Sequence, residues 1–375
     1  MRACLKALAA GLAGALLAVA PGAAQPSPAG PLLDFRPLIE AARVKGPLDF
    51  CGEPVPLEDP EVRERMEREM LIVLWNAPMV ILWMKRSGRH MGEIEAALKE
   101  AGLPPDLKFI PIAESSLLPH AGSPKGAMGF WQFIDATGRN YGLQVDSEKD
   151  QRRNLADATR AALAYLKDLH GMFGSWTLAA AAYNMGENGL KKEIAAQETR
   201  DFYRLYLSLE TQRYLFRILA AKLILSDPGR YGFHLAPEDL YAPPAAEIAA
   251  VELTESTPIL AVARAAGTDV KMIKDLNPEI RGYQLAPGRH LLRLPRHSLA
   301  GFPARLSDEA RRIAGSREAI EYVVKEGDSL GAIAERFNVP LAEILKGNRL
   351  DPKKPIRPGQ RLSIRVRADG GNPES

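Results

Sequence analysis

The chain has 375 residues, with 49 Lys and Arg against 46 Asp and Glu and a formal net charge of +3. That balance excludes a nucleic-acid binder of the usual kind, which needs a clustered basic face. Two cysteines exclude a disulfide scaffold, and the length predicts two or three domains. The six histidines (His90, His120, His170, His234, His290 and His297) show no metal-ligand spacing. No phosphate-binding loop, Cys-x-x-Cys pair or nucleophile-elbow serine occurs, so neither a metal nor a cofactor is expected.

Residues 1–24 read as an export signal. Arg2 and Lys6 form a basic start, Leu8 to Ala20 an Ala/Leu-rich apolar run, and Gly22-Ala23-Ala24 a small-residue cleavage site before Gln25. The run is too short and too Ala/Gly-rich to span a membrane well. Cys4 lies too early and Cys51 too late for a lipid anchor. The mature chain is therefore expected to be exported to the periplasm without a lipid. Losing Arg2 and Lys6 leaves 47 basic against 46 acidic residues.

Residues 25–58, rich in Pro, Gly and Ala, read as a linker or an arm over the next domain. Asp59-Pro60-Glu61 has the cap, first-position proline and early acid of a helix start. Met66, Met70, Val73 and Leu74 give that helix a core face, and Pro78 interrupts it. A further helix ends at Gly102, and Pro111 is expected to kink or re-nucleate the helix that leads to Glu114. Residues 155–173 carry a helical apolar pattern closed by Gly174, and Ser175 caps an Ala-rich helix ending in Tyr183 and Asn184.

Three stretches carry the chemistry. In Phe109-Ile110-Pro111-Ile112-Ala113-Glu114-Ser115-Ser116 a carboxylate ends an apolar run, where desolvation raises its pKa and suits it to giving up a proton near neutral pH. Gly126-Ala127-Met128-Gly129-Phe130-Trp131-Gln132-Phe133 is a Gly-rich turn with apolar faces and a neutral polar hook. Ala179-Ala180-Ala181-Ala182-Tyr183-Asn184-Met185-Gly186 adds a helix end with two polar groups. Together they resemble the lysozyme-like domain of lytic transglycosylases, most closely the membrane-bound lytic transglycosylase D group. Phe130 and Met185 replace a Leu and an Ala of the family pattern. Leu207-Ser208-Leu209-Glu210-Thr211-Gln212-Arg213-Tyr214 resembles a later family segment, with Ser208 in place of Pro.

The resemblance implies an enzyme domain over 59–235, with Glu114 as catalytic acid. It implies that Ser115 or Ser116 and Tyr183 orient Glu114 and the substrate's acetamido group. Gln132 and Asn184 would bind sugar polar groups, Met128, Phe130 and Trp131 would line sugar faces, and Glu210 and Tyr214 would support the cleft. The substrate implied is peptidoglycan, cut between N-acetylmuramic acid and N-acetylglucosamine. Glycosidases usually pair two carboxylates, but the motif offers only Glu114. The implied reaction therefore closes a 1,6-anhydro ring by attack of the sugar's own C6 hydroxyl. The rivals are a goose-type hydrolytic lysozyme on the same fold and a catalytically silent wall-binding scaffold.

From Ala236 on, an internal repeat appears at an offset of 71. Glu255, Ala261, Ala263, Asn277, Pro287, Gly288 and Leu291 recur as Glu326, Ala332, Ala334, Asn348, Pro358, Gly359 and Leu362. The second copy, over 320–366, resembles a LysM domain, a strand–helix–helix–strand module that binds N-acetylglucosamine polymers. The resemblance offers Gly327, Asp328, Ser329 and Asn348 as its glycan contacts. The first copy, over 250–296, has Ser256-Thr257-Pro258 in place of Gly-Asp-Ser and reads as a spacer of the same fold. Residues 297–319 read as a linker and 367–375 as a tail. The fold class expected is α+β multidomain: a mainly helical lysozyme-like catalytic domain followed by small βααβ LysM-type modules.

Overall fold

The structure, a computed structural model, describes residues 34–367 apart from 316, 338 and 353. The expected export signal and the tail after 367 lie outside the described residues. The chain divides into two compact units, Met1–Pro37 and Leu38–Ser375. In the first, Arg36 pairs with Asp34 at 2.8 Å.

A short helix α1 (Arg36–Ala42) precedes a hairpin of β1 (Asp49–Phe50) and β2 (Glu53–Pro54). Residues near this hairpin, expected as linker or arm, enter the catalytic core: Phe50 is fully buried, and Val55 and Leu57 pack beside it. The predicted start of α2 (Pro60–Trp75) is present, with the Asp59 carboxylate accepting from the Glu61 amide at 2.9 Å. Asn76 ends α2 and caps α3 (Ala77–Ala101), so Pro78 sits harmlessly in the first turn of a new helix. Gly102 closes α3 in the left-handed conformation, as expected.

A 3₁₀ turn, Pro105–Phe109, runs into α4 (Ile110–Ser115), with Pro111 in its first turn. After an irregular stretch come α5 (Asp135–Asn140), α6 (Leu155–Phe173), α7 (Trp176–Met185), α8 (Glu187–Gln197) and α9 (Leu209–Ser226). One apolar cluster joins α6, α7, α8 and α9, and the Ala-rich α7 is buried along Thr177–Ala182 against α6 and α9. Alanines allow that close approach because nothing bulky stands between the backbones.

The two repeats form separate cores. The first pairs β3 (Ala246–Leu253) with β6 (Gly288–Pro295), antiparallel, around β4 (Thr257–Pro258), α10 (Ile259–Ala265), α11 (Val270–Leu276) and β5 (Gln284–Leu285). The stretch expected as a linker instead folds as α12 (Phe302–Gly315). Its Phe302, Leu306 and Ile313 complete the first repeat's core. The second repeat pairs β7 (Arg317–Val323) with β8 (Arg361–Arg367) across α13 (Leu330–Arg336) and α14 (Leu341–Gly347).

Asn277 and Asn348 do the same job in each copy. Each amide donates to a carbonyl one helical turn back and to the last strand, and each carbonyl accepts from that strand. The strand partners are Arg293 and Ser363, so the step slips from 71 to 70 after the asparagine. Leu292, fully packed, is therefore the counterpart of Leu362, and Leu291 is 55% exposed. Among the described residues no helix is long and apolar enough to cross a membrane.

Candidate active site

Glu114 sits on the last turn of the six-residue α4, which Ser116 terminates in the left-handed conformation at φ 54°. A non-glycine residue holds that conformation at a cost, and two α3 side chains supply the restraint. The Trp83 indole N–H donates to Ser116 Oγ at 2.8 Å, and Arg86 donates to the Ser116 carbonyl at 3.0 Å. Ser116 thus shapes the backbone directly after the acid.

Tyr214, on α9, donates its hydroxyl to Glu114 Oε1. Burial raises the Glu114 pKa, while the Tyr214 hydrogen bond and the Arg217 charge pull it down and Glu210 adds a small push upwards. The net result is a carboxyl pushed up to about 7. Glu210 is exposed and pairs with Arg217 at 3.7 Å. Burial, followed by the Glu114 charge, holds the Tyr214 and Tyr183 hydroxyls well above their ordinary value. Both phenols therefore stay protonated, as hydrogen-bond donors beside the acid.

The Gly-rich turn behind Glu114 is held through its carbonyls. Ser115 is buried and donates to the Phe130 carbonyl at 2.8 Å. Tyr183 donates to the Trp131 carbonyl at 2.8 Å. The Gln132 side-chain amide donates to Gly129 at 2.8 Å and Ala121 at 2.9 Å, with its own backbone at φ 51°. Arg152 donates one nitrogen to Gly126 and Phe133, at 2.9 and 3.1 Å, while its other nitrogens grip the buried Asp150 carboxylate. Gly129, at φ 83°, lies so close to the next segment that a Cβ would stand 1.8 Å from the Arg152 carbonyl oxygen. Only glycine fits there.

Several expected contacts change with this geometry. Phe130 and Trp131 are core residues, 2% and 0% exposed, and the Trp131 indole N–H donates to Thr159. They cannot line a sugar face. Ser115 is equally spent on the protein, tying the acid's helix to the turn. Met128 is half-buried and pairs with Gly122 and Phe133 within the turn. Asn184 is half-buried and accepts from Thr211 at 3.0 Å, which leaves its side-chain amide for another partner. Tyr183 stands edge-on to Phe133 and beside Tyr165.

In the second repeat the Asp328 carboxylate accepts from Tyr322 and the Lys325 amide, and pairs with Arg336. Ser329 caps α13, and Gly327 turns the chain at φ 83°. The side chains of Asp328, Ser329 and Asn348, expected as glycan contacts, thus all make hydrogen bonds within the module.

Sequence reasoning passed over Arg217, Trp83, Arg86 and the Asp150–Arg152 pair. Arg217 follows Tyr214 by three positions on one helix face, a spacing that was available as a signal. The others come from distant segments. It also missed Glu53, whose carboxylate accepts from Ser175, Trp176 and Thr177 at the start of α7. That contact fixes the helix delivering Tyr183 and Asn184. Among the described residues no three His, Cys, Asp or Glu side chains are grouped to hold a metal ion.

Comparison with known proteins places this geometry in a family. The transglycosylase SLT domain matches residues 92–205, and the LysM domain matches residues 322–365. The chain is 32% identical over 329 residues to membrane-bound lytic murein transglycosylase D of Escherichia coli (strain K12), covering 84% of this chain and 72% of that protein. It is 36% identical over 116 residues to peptidoglycan transglycosylase gp16 of Escherichia phage T7, which is 30% of this chain and 9% of that one. Among solved structures, an inactive mutant of lytic transglycosylase Slt from Pseudomonas aeruginosa is 25% identical at a TM-score of 0.32. That match covers 38% of this chain and 24% of that one. With a half-buried acid set between the SLT-type motifs, a LysM domain behind it, and similarity along most of both chains, the chain belongs to the lytic murein transglycosylase D family.

Proposed function

We propose that the protein cleaves the glycan strands of peptidoglycan between N-acetylmuramic acid and N-acetylglucosamine, without water, and leaves 1,6-anhydro-N-acetylmuramic acid ends. The observation that carries this reading is the environment of Glu114. It is a carboxyl pushed up to about 7, with a phenol donor on one oxygen and, among the described residues, the exposed Glu210 paired to Arg217 as the acidic group acting on it.

At neutral pH a large fraction of Glu114 carries its proton and can give it to the glycosidic oxygen as the C1–O bond breaks. The positive C1 centre is met by the substrate's acetamido oxygen. Glu114, now a carboxylate stabilised by Tyr214 and Arg217, takes the proton of the C6 hydroxyl as that oxygen bonds to C1. One group acts twice and no water enters. The intramolecular hydroxyl has an effective concentration that bulk water lacks. The side-chain amide of Asn184 is offered to the sugar's polar groups and Met128 to its apolar face, while Gln132, whose amide donors hold the turn, has only its side-chain carbonyl to offer.

The LysM domain holds the enzyme to the wall, and the reaction takes place in the periplasm during wall remodelling. Incubating the purified protein with insoluble sacculi tests the reading: soluble muropeptides are expected from the wild type. None would be released by a silent scaffold.

A further inference from the structure

The first repeat is bonded to the catalytic domain along its own edge. Lys149 and Ile280 form an antiparallel bridge, flanked by the Asp150 amide donating to the Glu279 carbonyl and the Arg281 amide donating to Glu148, both at 2.8 Å. The Arg281 guanidinium adds a bond to the Asp146 carbonyl at 2.9 Å. The Glu279 side chain is buried at this seam, 3% exposed. Elsewhere on the seam Arg293 reaches Glu93 at 2.8 Å, and the Tyr241 amide donates to the Lys85 carbonyl at 2.9 Å. Gly88 lets that connector approach, since a Cβ there would come 2.8 Å from the Leu240 Cβ. A strand-type seam with directed backbone bonds fixes one register, which a tether would not.

The seam ends on Asp150, the residue that grips Arg152 and through it both ends of the turn at Gly126 and Phe133. That turn carries Gln132 and receives the hydroxyls of Ser115, next to Glu114, and Tyr183. A continuous set of bonds therefore runs from Glu279 and Arg281 of the repeat to the flank of the acid.

We propose that the first repeat is a fixed part of the catalytic machinery, and that Arg281 and Glu279 are positioning residues acting on Glu114 through Asp150, Arg152 and the Gly-rich turn. This rests on the transglycosylase reading given above. The repeat's role is then to hold the cleft in shape, while the second repeat holds the wall.

Hydrogen exchange on the full chain tests the docking without any turnover, so its failure is told apart from failure of the functional reading. The Asp150 and Arg281 amides should be as protected as those of β3 and β6. Exchange at loop rates would overturn the docking. Arg281→Pro removes both the backbone donor and the guanidinium. With β3 and β6 still protected, kcat on a soluble peptidoglycan glycan oligomer should fall at least about tenfold. KM should stay within about twofold, and pelleting with sacculi should not change. Arg281→Lys should keep most of the rate. If Arg281→Pro unfolds the repeat, Arg281→Glu takes its place, read by the same kcat and KM split. Full kcat in a variant whose Asp150 amide has lost its protection would overturn the positioning role.

Discussion

Replacing Glu114 with Gln should abolish turnover and stabilise the protein, and the second effect has a calculable pH dependence. The native carboxyl holds its proton to about 7 against an ordinary 4.5, chiefly through burial. The folded state therefore binds more protons than the unfolded chain between those values. Stability must fall as pH rises through that window, and the loss is complete above it. At about 1.4 kcal/mol per pH unit, the ionised acid costs roughly 3 kcal/mol at pH 8. Gln keeps the shape and an oxygen for the Tyr214 hydroxyl but carries no charge. Glu114→Gln should thus gain about 3 kcal/mol at pH 8, or roughly 6–12 °C in the unfolding transition of the catalytic domain. It should gain almost nothing at pH 4, where wild type is protonated in both states. Turnover on sacculi should drop at least about a hundredfold, because an amide can neither give nor recover the proton. Calorimetry at the two pH values, beside muropeptide release, reads both effects. An equal gain at pH 4 and pH 8, or none at either, would refute the desolvated acid.

Tyr214→Phe removes a donor that favours the carboxylate, so the alkaline limb of kcat/KM should move up by about one pH unit or more, each unit being about 1.4 kcal/mol; a limb that stays put or moves down would contradict the hydrogen bond's role. Gly129→Ala forces a Cβ against the Arg152 carbonyl at positive φ and should cost at least about 2 kcal/mol of stability together with most of the activity. Unchanged melting and turnover would show that the turn relaxes freely. Deleting residues 320–375, which have their own core, should weaken pelleting with sacculi and leave turnover on short soluble glycans nearly intact, since effective concentration matters only on a polymer. Equal pelleting with and without the segment would leave the second repeat as a spacer.

Local signals in the sequence found what local physics decides. Asp59-Pro60-Glu61, Gly102, Gly174 and Ser175 mark helix ends where the structure has them, because caps are made by neighbouring residues. Glu114 was legible from a carboxylate at the end of an apolar run, and Tyr214 from a family motif. Side-chain direction was not legible. Trp131 and Phe130 look like ring surfaces for sugars but turn into the core, since the positive φ at Gly129 and Gln132 redirects the chain. Long-range pairings were equally hidden. Glu53 capping α7, and Glu279 meeting Asp150, join segments more than 120 residues apart. The first repeat's last strand slips by one residue, so Leu291 could pass for a core position in the sequence. Residues 297–319 read as a linker in the sequence because the partner core of the helix there lies in the repeat before it.

The non-hydrolytic chemistry is tested most directly by digesting sacculi in heavy-oxygen water and weighing the muropeptides. Glu114 acting first as acid and then as base on the C6 hydroxyl predicts products lighter than the hydrolysed species by one water, with no label at their reducing ends. Labelled reducing ends as the main product would make the enzyme a hydrolase and would contradict the single-carboxylate mechanism.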